Sequence, residues 1–325
     1  MNRDNAVLGK FEIHFSKINE EMRKALDSRV ELIEDMGSHT LLGDGKRLRP
    51  LLFVLSCLAC NCRAENIYRL STIFEYIHTA SLLHDDVLDN AELRRNKASA
   101  NYLWGNHAAV LVGDFLYSQS FCIAMEADRL KLFKRLTDTT LRMAEGQVLE
   151  LMYTNDWDMT IERYLEIVTA KTAVLISAAC ACGAILSEAG TAREKGLSMF
   201  GLNTGIAFQL MDDLLDYTST REEFGKPVGK DLKEGKITLP LIYALADLGK
   251  EERGRLAERF LTRRAGENEH REVIDFVRKS EAPKKIRRKA KSYAETAARA
   301  LDPFEDSDPK RHLLELNDFV IERSR

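Results

Sequence analysis

No proline stands between Pro50 and Pro227. Proline lacks a backbone donor and clashes with the preceding turn, so a long stretch free of it leaves room for long, unbroken helices. Apolar residues recur through this stretch at helical spacing, and no run alternates apolar and polar β-branched residues as a half-buried strand would. The chain is therefore expected to be all-α. The spacing predicts one amphipathic helix over Met1–Met36, then a polar loop, Gly37–Pro50, whose proline opens the next helix as a first-turn residue. Further helices are expected over Ile67–Asp89, Ala108–Met125, Asp128–Met152, Ile161–Glu188 and Glu194–Asp216. Thr220–Thr238 reads as a Gly- and Lys-rich loop long enough to be functional. Helix resumes at Leu239 and runs, charged and amphipathic, to the end, with the basic run Lys284–Lys291 as a solvated face. Composition shifts nowhere, so residues 1–325 are expected to form a single domain.

The charge balance excludes some functions. A formal net charge of −3, with both signs interleaved, argues against a nucleic-acid partner. No continuous segment reaches the ~20 apolar residues of a membrane span. The opening MNRDNAVLGKFEIHF has no apolar core of a secretory signal, so a cytoplasmic location is expected. Cys57-x-x-Cys60-x-Cys62 invites a metal reading, yet it continues the apolar run LLFVLSCLAC and has no second ligand pair at zinc spacing. With Cys122, Cys180 and Cys182 these thiols are expected to be reduced, buried packing residues.

Two segments carry chemistry. Asp85-Asp86-Val87-Leu88-Asp89 has the pattern D-D-x-x-D, and Asp212-Asp213-Leu214-Leu215-Asp216 repeats it. On a helix Asp85 and Asp89 share a face, as do Asp212 and Asp216. Like charges so placed repel, and carboxylates near a helix C-terminus also oppose its dipole. A bound cation would relieve both costs. Carboxylates without thiols suit a hard ion such as Mg²⁺, which is commonly completed by water and substrate phosphate. Basic residues accompany the clusters: Arg94 and Arg95 follow the first, Lys226, Lys230 and Lys236 the second, and Lys46, Arg47 and Arg49 lie in the early loop. Lysine and arginine near a divalent ion are what a diphosphate needs.

Six ordered segments resemble the motifs of the trans-polyprenyl diphosphate synthases: GKRLRP (Gly45–Pro50), HTASLLHDDVLD (His78–Asp89), Arg94-Arg95, KTA (Lys171–Ala173), FQLMDDLLD (Phe208–Asp216) and GKPVGKD (Gly225–Asp231). The resemblance implies the all-α isoprenoid-synthase fold, with antiparallel helices around a deep central cavity, and a homodimer. It makes Asp85, Asp89 and Asp212 the principal Mg²⁺ ligands, with Asp86, Asp213 and Asp216 supporting, for about two or three ions per site. Lys46, Arg49, His78 and Arg95 match residues that hold isopentenyl diphosphate. Arg94, Lys171, Thr172, Gln209, Lys226 and Lys236 match those that hold the allylic diphosphate or its departing pyrophosphate.

The implied reaction ionises the allylic C–O bond and adds the resulting carbocation to isopentenyl diphosphate, which needs no protein nucleophile. A class I terpene cyclase also ionises a diphosphate at an aspartate-rich helix, but two D-D-x-x-D motifs with the GKRLRP loop favour the chain-extending enzyme, because a cyclase has no second diphosphate to hold. A silent partner subunit would have lost motif residues, and a plain helical scaffold leaves the carboxylates unexplained; a shorter-chain synthase differs only in tunnel depth. One helical turn, about 5.4 Å, approximates one isoprene, so residues upstream of Asp85 can act as a ruler. Ala80 and Ser81 are small, leaving the passage open past Ile77 and Phe74. The expected product is about C40, within about C30 to C50, for quinone side chains.

Overall fold

A computed structural model describes residues 7–43, 45–94, 97–219, 229–261 and 266–322. Among them regular structure is almost wholly helical. Two compact units emerge, one from Met1–Leu141, Leu175–Gly201 and Ala298–Phe319, the other from Arg142–Val174, Leu202–Ala297 and Val320–Arg325.

In the first unit the Ile67–Leu88 helix packs against Glu12–Ala25, Leu48–Ala59 and Asn106–Met125. Its buried side runs through Phe74, Ile77, Ala80 and Leu83, with Phe74 and Phe53 ring centroids 5.2 Å apart. The second unit's core is built from Tyr164, Ile167, Leu210, Leu214, Tyr217, Leu239, Val277 and Ile286.

The expected boundaries hold for most central helices and fail at informative places. Met1–Met36 is not one helix: Glu12–Ala25 and Glu31–Leu41 are separate. Ser28 causes the break, because its Oγ accepts the Val30 N–H at 3.2 Å while its own N–H donates to Glu34 at 3.3 Å. Such local side-chain bonds compete with the helical ladder. Gly37 is helical and not a loop residue; a Cβ there would fall 2.3 Å from Leu26 Cδ1, so glycine lets the two helices approach. The expected Ile161–Glu188 helix is interrupted by a π-turn at Thr169–Ala173. A two-residue hairpin pairs Leu93 with Ala98 and Arg94 with Lys97, too short to leave an alternating pattern. The expected loop Thr220–Thr238 contains the short helix Lys230–Lys233.

The cysteine expectation is corrected in part, and two helices are more apolar than their continuous runs indicate. Asn106–Met125 and Ile161–Leu186 are long and apolar enough to cross a membrane by length and composition, with mean hydropathies of 1.4 and 1.7. Interspersed polar residues such as Asp114 and Lys171 hid this from a count of continuous apolar residues. Of the latter's most apolar window 72% is buried, as in a core helix, against 39% for the former, which exposes Leu111 and Met125. The cysteines are free, but Cys122 is exposed and Cys62 half-buried; only Cys57, Cys60, Cys180 and Cys182 are packed inside.

The early loop is fixed by a buried ion pair. Arg47, in the left-handed region (φ 48°), places Nη1 3.3 Å from Glu75 Oε1 and donates through Nη2 to the Gly43 carbonyl and Nε to Asn19. Both charged side chains are about nineteen-twentieths buried. Replacing either partner alone, as in Arg47→Met or Glu75→Leu, should cost about 3–5 kcal/mol in urea unfolding, because a buried charge is left uncompensated. The double variant should recover most of that loss. Unchanged midpoints in both single variants would contradict the assignment.

Candidate active site

The first acidic cluster closes the Ile67–Leu88 helix, with Asp89 as its C-cap. Asp86 is 2% exposed and held by Arg94, whose Nε lies 2.8 Å from both carboxylate oxygens and whose Nη2 lies 2.6 Å from Oδ1. The hairpin carrying Arg94 makes this clamp possible. Asp85 and Asp89 are half-buried.

The second cluster shows the same division. Asp213 is buried and accepts from Tyr164 Oη at 2.5 Å and Gln209 Nε2 at 2.7 Å; Thr172 Oγ1 in turn donates to Gln209 Oε1 at 3.0 Å. Burial pushes the Asp213 carboxyl up to about 7, against those hydrogen bonds, and the charges of Asp212 and Asp216 add to the rise. Asp216 accepts the backbone N–H groups of Lys230 at 3.2 Å and Asp231 at 3.1 Å, capping the short helix after Gly229, whose φ of +75° suits glycine. Asp231 is half-buried, and the loss of solvation there, with the Asp216 and Asp213 charges, drives its carboxyl well above the usual range. Asp212 alone of its cluster is half-buried.

A cavity of about 160 Å³ in the second unit gathers Lys171, Thr172, Gln209 and Lys236 with Asp213, four predicted diphosphate residues beside a predicted metal-site residue. The π-turn presents Lys171 and Thr172. It is admitted by Gly146, where a Cβ would fall 2.7 Å from Ala170 Cβ and 3.0 Å from the Lys171 nitrogen. The same cavity holds Glu150 and Tyr164, which sequence reasoning missed. Glu150 sits one helical turn after Gly146, but that spacing alone points to no role.

Among the predicted isopentenyl diphosphate residues, Lys46 is exposed, with Nζ 5.5 Å from the centroid of the Phe319 ring, while Arg49 and His78 are half-buried. Arg49 opens the helix that packs against the one carrying His78, and the Arg47–Glu75 pair ties them together one turn before His78. Arg47 is thereby committed to the interior, unlike its loop neighbours. Arg95 and Lys226 lie outside the described residues. Of the length-setting residues, Ala80, Ile77 and Phe74 are fully buried; Ser81, one turn before Asp85, is half-buried and donates to the His78 carbonyl at 2.7 Å.

The donor set fits Mg²⁺. Each cluster neutralises its buried carboxylates internally and keeps others half-exposed, and the donors are all oxygen. Among the described residues no three His, Cys, Asp or Glu side chains are arranged to hold a metal ion by themselves.

Residues 30–277 match the Polyprenyl synthetase family. The chain is 37% identical over 308 residues to octaprenyl diphosphate synthase of Escherichia coli (strain K12), covering 95% of each. It is 36% identical over 318 residues to an all-trans-nonaprenyl-diphosphate synthase (geranyl-diphosphate specific) of Rhodobacter capsulatus, covering 98% of this chain and 97% of that one. Its fold matches a solved polyprenyl synthase from Caulobacter crescentus CB15, complexed with calcium and isoprenyl diphosphate, with a TM-score of 0.94 and 37% identity over 99% of this chain and 98% of that one. The class is thus an all-α prenyltransferase with the isoprenoid-synthase fold. The chain belongs to the Polyprenyl synthetase family.

The division within the clusters is measurable by thermal melting. Asp86→Ala, Asp213→Ala and Asp216→Ala should lower Tm, the last by the loss of a cap of about 1 kcal/mol. Asp85→Ala, Asp89→Ala and Asp212→Ala should leave Tm unchanged or slightly raised, as repulsion is removed. Equal effects across all six would contradict it.

Proposed function

We propose that this protein extends an allylic diphosphate, farnesyl diphosphate foremost, with isopentenyl diphosphate to a long-chain all-trans polyprenyl diphosphate of about C40, the length in the E. coli relative's name. The observation that carries this reading is the cavity that brings Lys171, Thr172, Gln209 and Lys236 against Asp213 of the second acidic cluster. The whole chain acts as one polyprenyl synthase domain in this reading.

Asp85, Asp89 and Asp212 would hold Mg²⁺, about two or three ions in all, with Asp86, Asp213 and Asp216 supporting them. When bound, Mg²⁺ supplies charge neutralisation on the diphosphate oxygens. Lys171, Thr172, Gln209 and Lys236, with Arg94 and Lys226, bind the allylic diphosphate and stabilise the negative charge that gathers on it as the C–O bond ionises. Lys46, Arg49, His78 and Arg95 hold isopentenyl diphosphate so that its double bond meets the carbocation, with proximity supplying much of the rate. The proton lost in closing the step passes to the departing pyrophosphate.

The tail runs upstream from Asp85 along the face of Ser81, beside the small Ala80, toward Ile77 and Phe74. A homodimer is supported by the apolar surface of the Asn106–Met125 helix, where Leu111 is 67% and Met125 64% exposed. The enzyme works in the cytoplasm and supplies quinone side chains.

The direct test incubates the purified protein with farnesyl diphosphate, labelled isopentenyl diphosphate and Mg²⁺ and separates products by length. The expected product is about C40, from a protein with the mass of two chains by light scattering, and Ser81→Phe, which blocks the passage one turn from Asp85, should release mainly C15 to C20. Wild-type products no longer than C20, or a Ser81→Phe product of unchanged length, would contradict the long-chain reading.

A further inference from the structure

Two of the lysines assigned to the allylic diphosphate are each matched by a carboxylate that no motif includes. Lys171 Nζ lies 2.6 Å from Glu150 Oε2. Lys236 Nζ lies 2.7 Å from Glu234 Oε2, whose other oxygen is 3.1 Å from Lys230 Nζ. These are not loose surface pairs, which contribute little. The four side chains Lys171, Glu150, Lys236 and Glu234 are 15–23% exposed, and Glu150, Lys171 and Lys236 line the same cavity.

The backbone is also arranged for the first pair. Gly146 gives up its side chain so that the π-turn carrying Lys171 can approach, and Glu150 stands one turn further along the same helix face. A carboxylate there does two things. It holds a long, flexible ammonium in one place, and it puts a negative charge where a diphosphate must come.

We propose that Glu150 and Glu234 are positioning residues, internal counter-anions that hold Lys171 and Lys236 until a diphosphate displaces them. The inference rests on the diphosphate role given to those lysines above. A diphosphate carries more charge than one carboxylate, so it wins the lysines. The displaced carboxylate remains nearby and repels the anion, which weakens binding of substrate and of leaving pyrophosphate alike. Slow loss of a tightly held pyrophosphate would limit every elongation cycle, and the built-in repulsion counters that.

The test is titration calorimetry with inorganic pyrophosphate, with and without Mg²⁺, on wild type, Glu150→Gln, Glu234→Gln and Lys171→Gln. Glu150→Gln is expected to bind pyrophosphate about tenfold more tightly, as a negative charge a few ångströms away is removed. In turnover its KM for the allylic diphosphate should fall without a gain in kcat. Glu234→Gln should shift binding in the same direction and serves independently if the first variant does not fold. Lys171→Gln should weaken pyrophosphate binding by about tenfold or more. If Lys171→Gln weakens binding but neither glutamine variant strengthens it, the counter-anion role is overturned and the lysine assignment stands. If Lys171→Gln binds pyrophosphate as wild type does, the diphosphate assignment itself fails.

Discussion

Carboxylates crowded at one end of a helix repel one another and oppose its dipole, and any that the interior buries must be neutralised there. Much of the local structure around both clusters answers that constraint. Asp86 is met by Arg94, and a hairpin exists to deliver the arginine. Asp213 is met by Tyr164 and Gln209, and Gln209 is held by Thr172 from the π-turn. Asp216 is met by two backbone N–H groups, which ties the start of the Lys230–Lys233 helix to it. Asp85, Asp89 and Asp212 stand half-buried beside these satisfied groups.

The cationic residues divide on the same principle. Arg47 is spent on Glu75 in the interior, where it orients a loop, whereas Lys46 on the same loop stays exposed. Lys171 and Lys236 lie between these extremes, each beside a carboxylate inside a polar cavity. Residues that hold an anionic substrate need charge that is oriented and exchangeable. A pairing buried as deeply as Arg47 with Glu75 gives orientation and forbids exchange, while a fully solvated lysine gives the reverse.

The helical class and the central boundaries were legible because long apolar periodicity without proline has few alternative folds. The paired D-D-x-x-D motifs were legible because their cost is local and visible in sequence. Three features escaped. The break at Ser28 depends on a side chain bonding to nearby backbone, and serine occurs in helices often enough to give no warning. The π-turn at Thr169–Ala173 needs a glycine on another helix, Gly146, and that pairing exists only in three dimensions. Glu150 and Tyr164 carry no signal in the sequence, since Glu150 meets Lys171 and Tyr164 meets Asp213 only in the folded chain. Spacing also could not separate the inner from the outer aspartates, because a helix end curls one carboxylate inward only when a partner such as Arg94 waits there.

Asp85, Asp89 and Asp212 are proposed to act in chemistry and not in folding. The most direct measurement is the steady-state rate of isopentenyl diphosphate incorporation by Asp85→Ala, Asp89→Ala and Asp212→Ala at saturating Mg²⁺. Each variant is expected to lose at least about a hundredfold in kcat, the scale seen when an electrostatic stabiliser of a leaving group is removed. Near-wild-type kcat in Asp85→Ala or Asp212→Ala would contradict the claim.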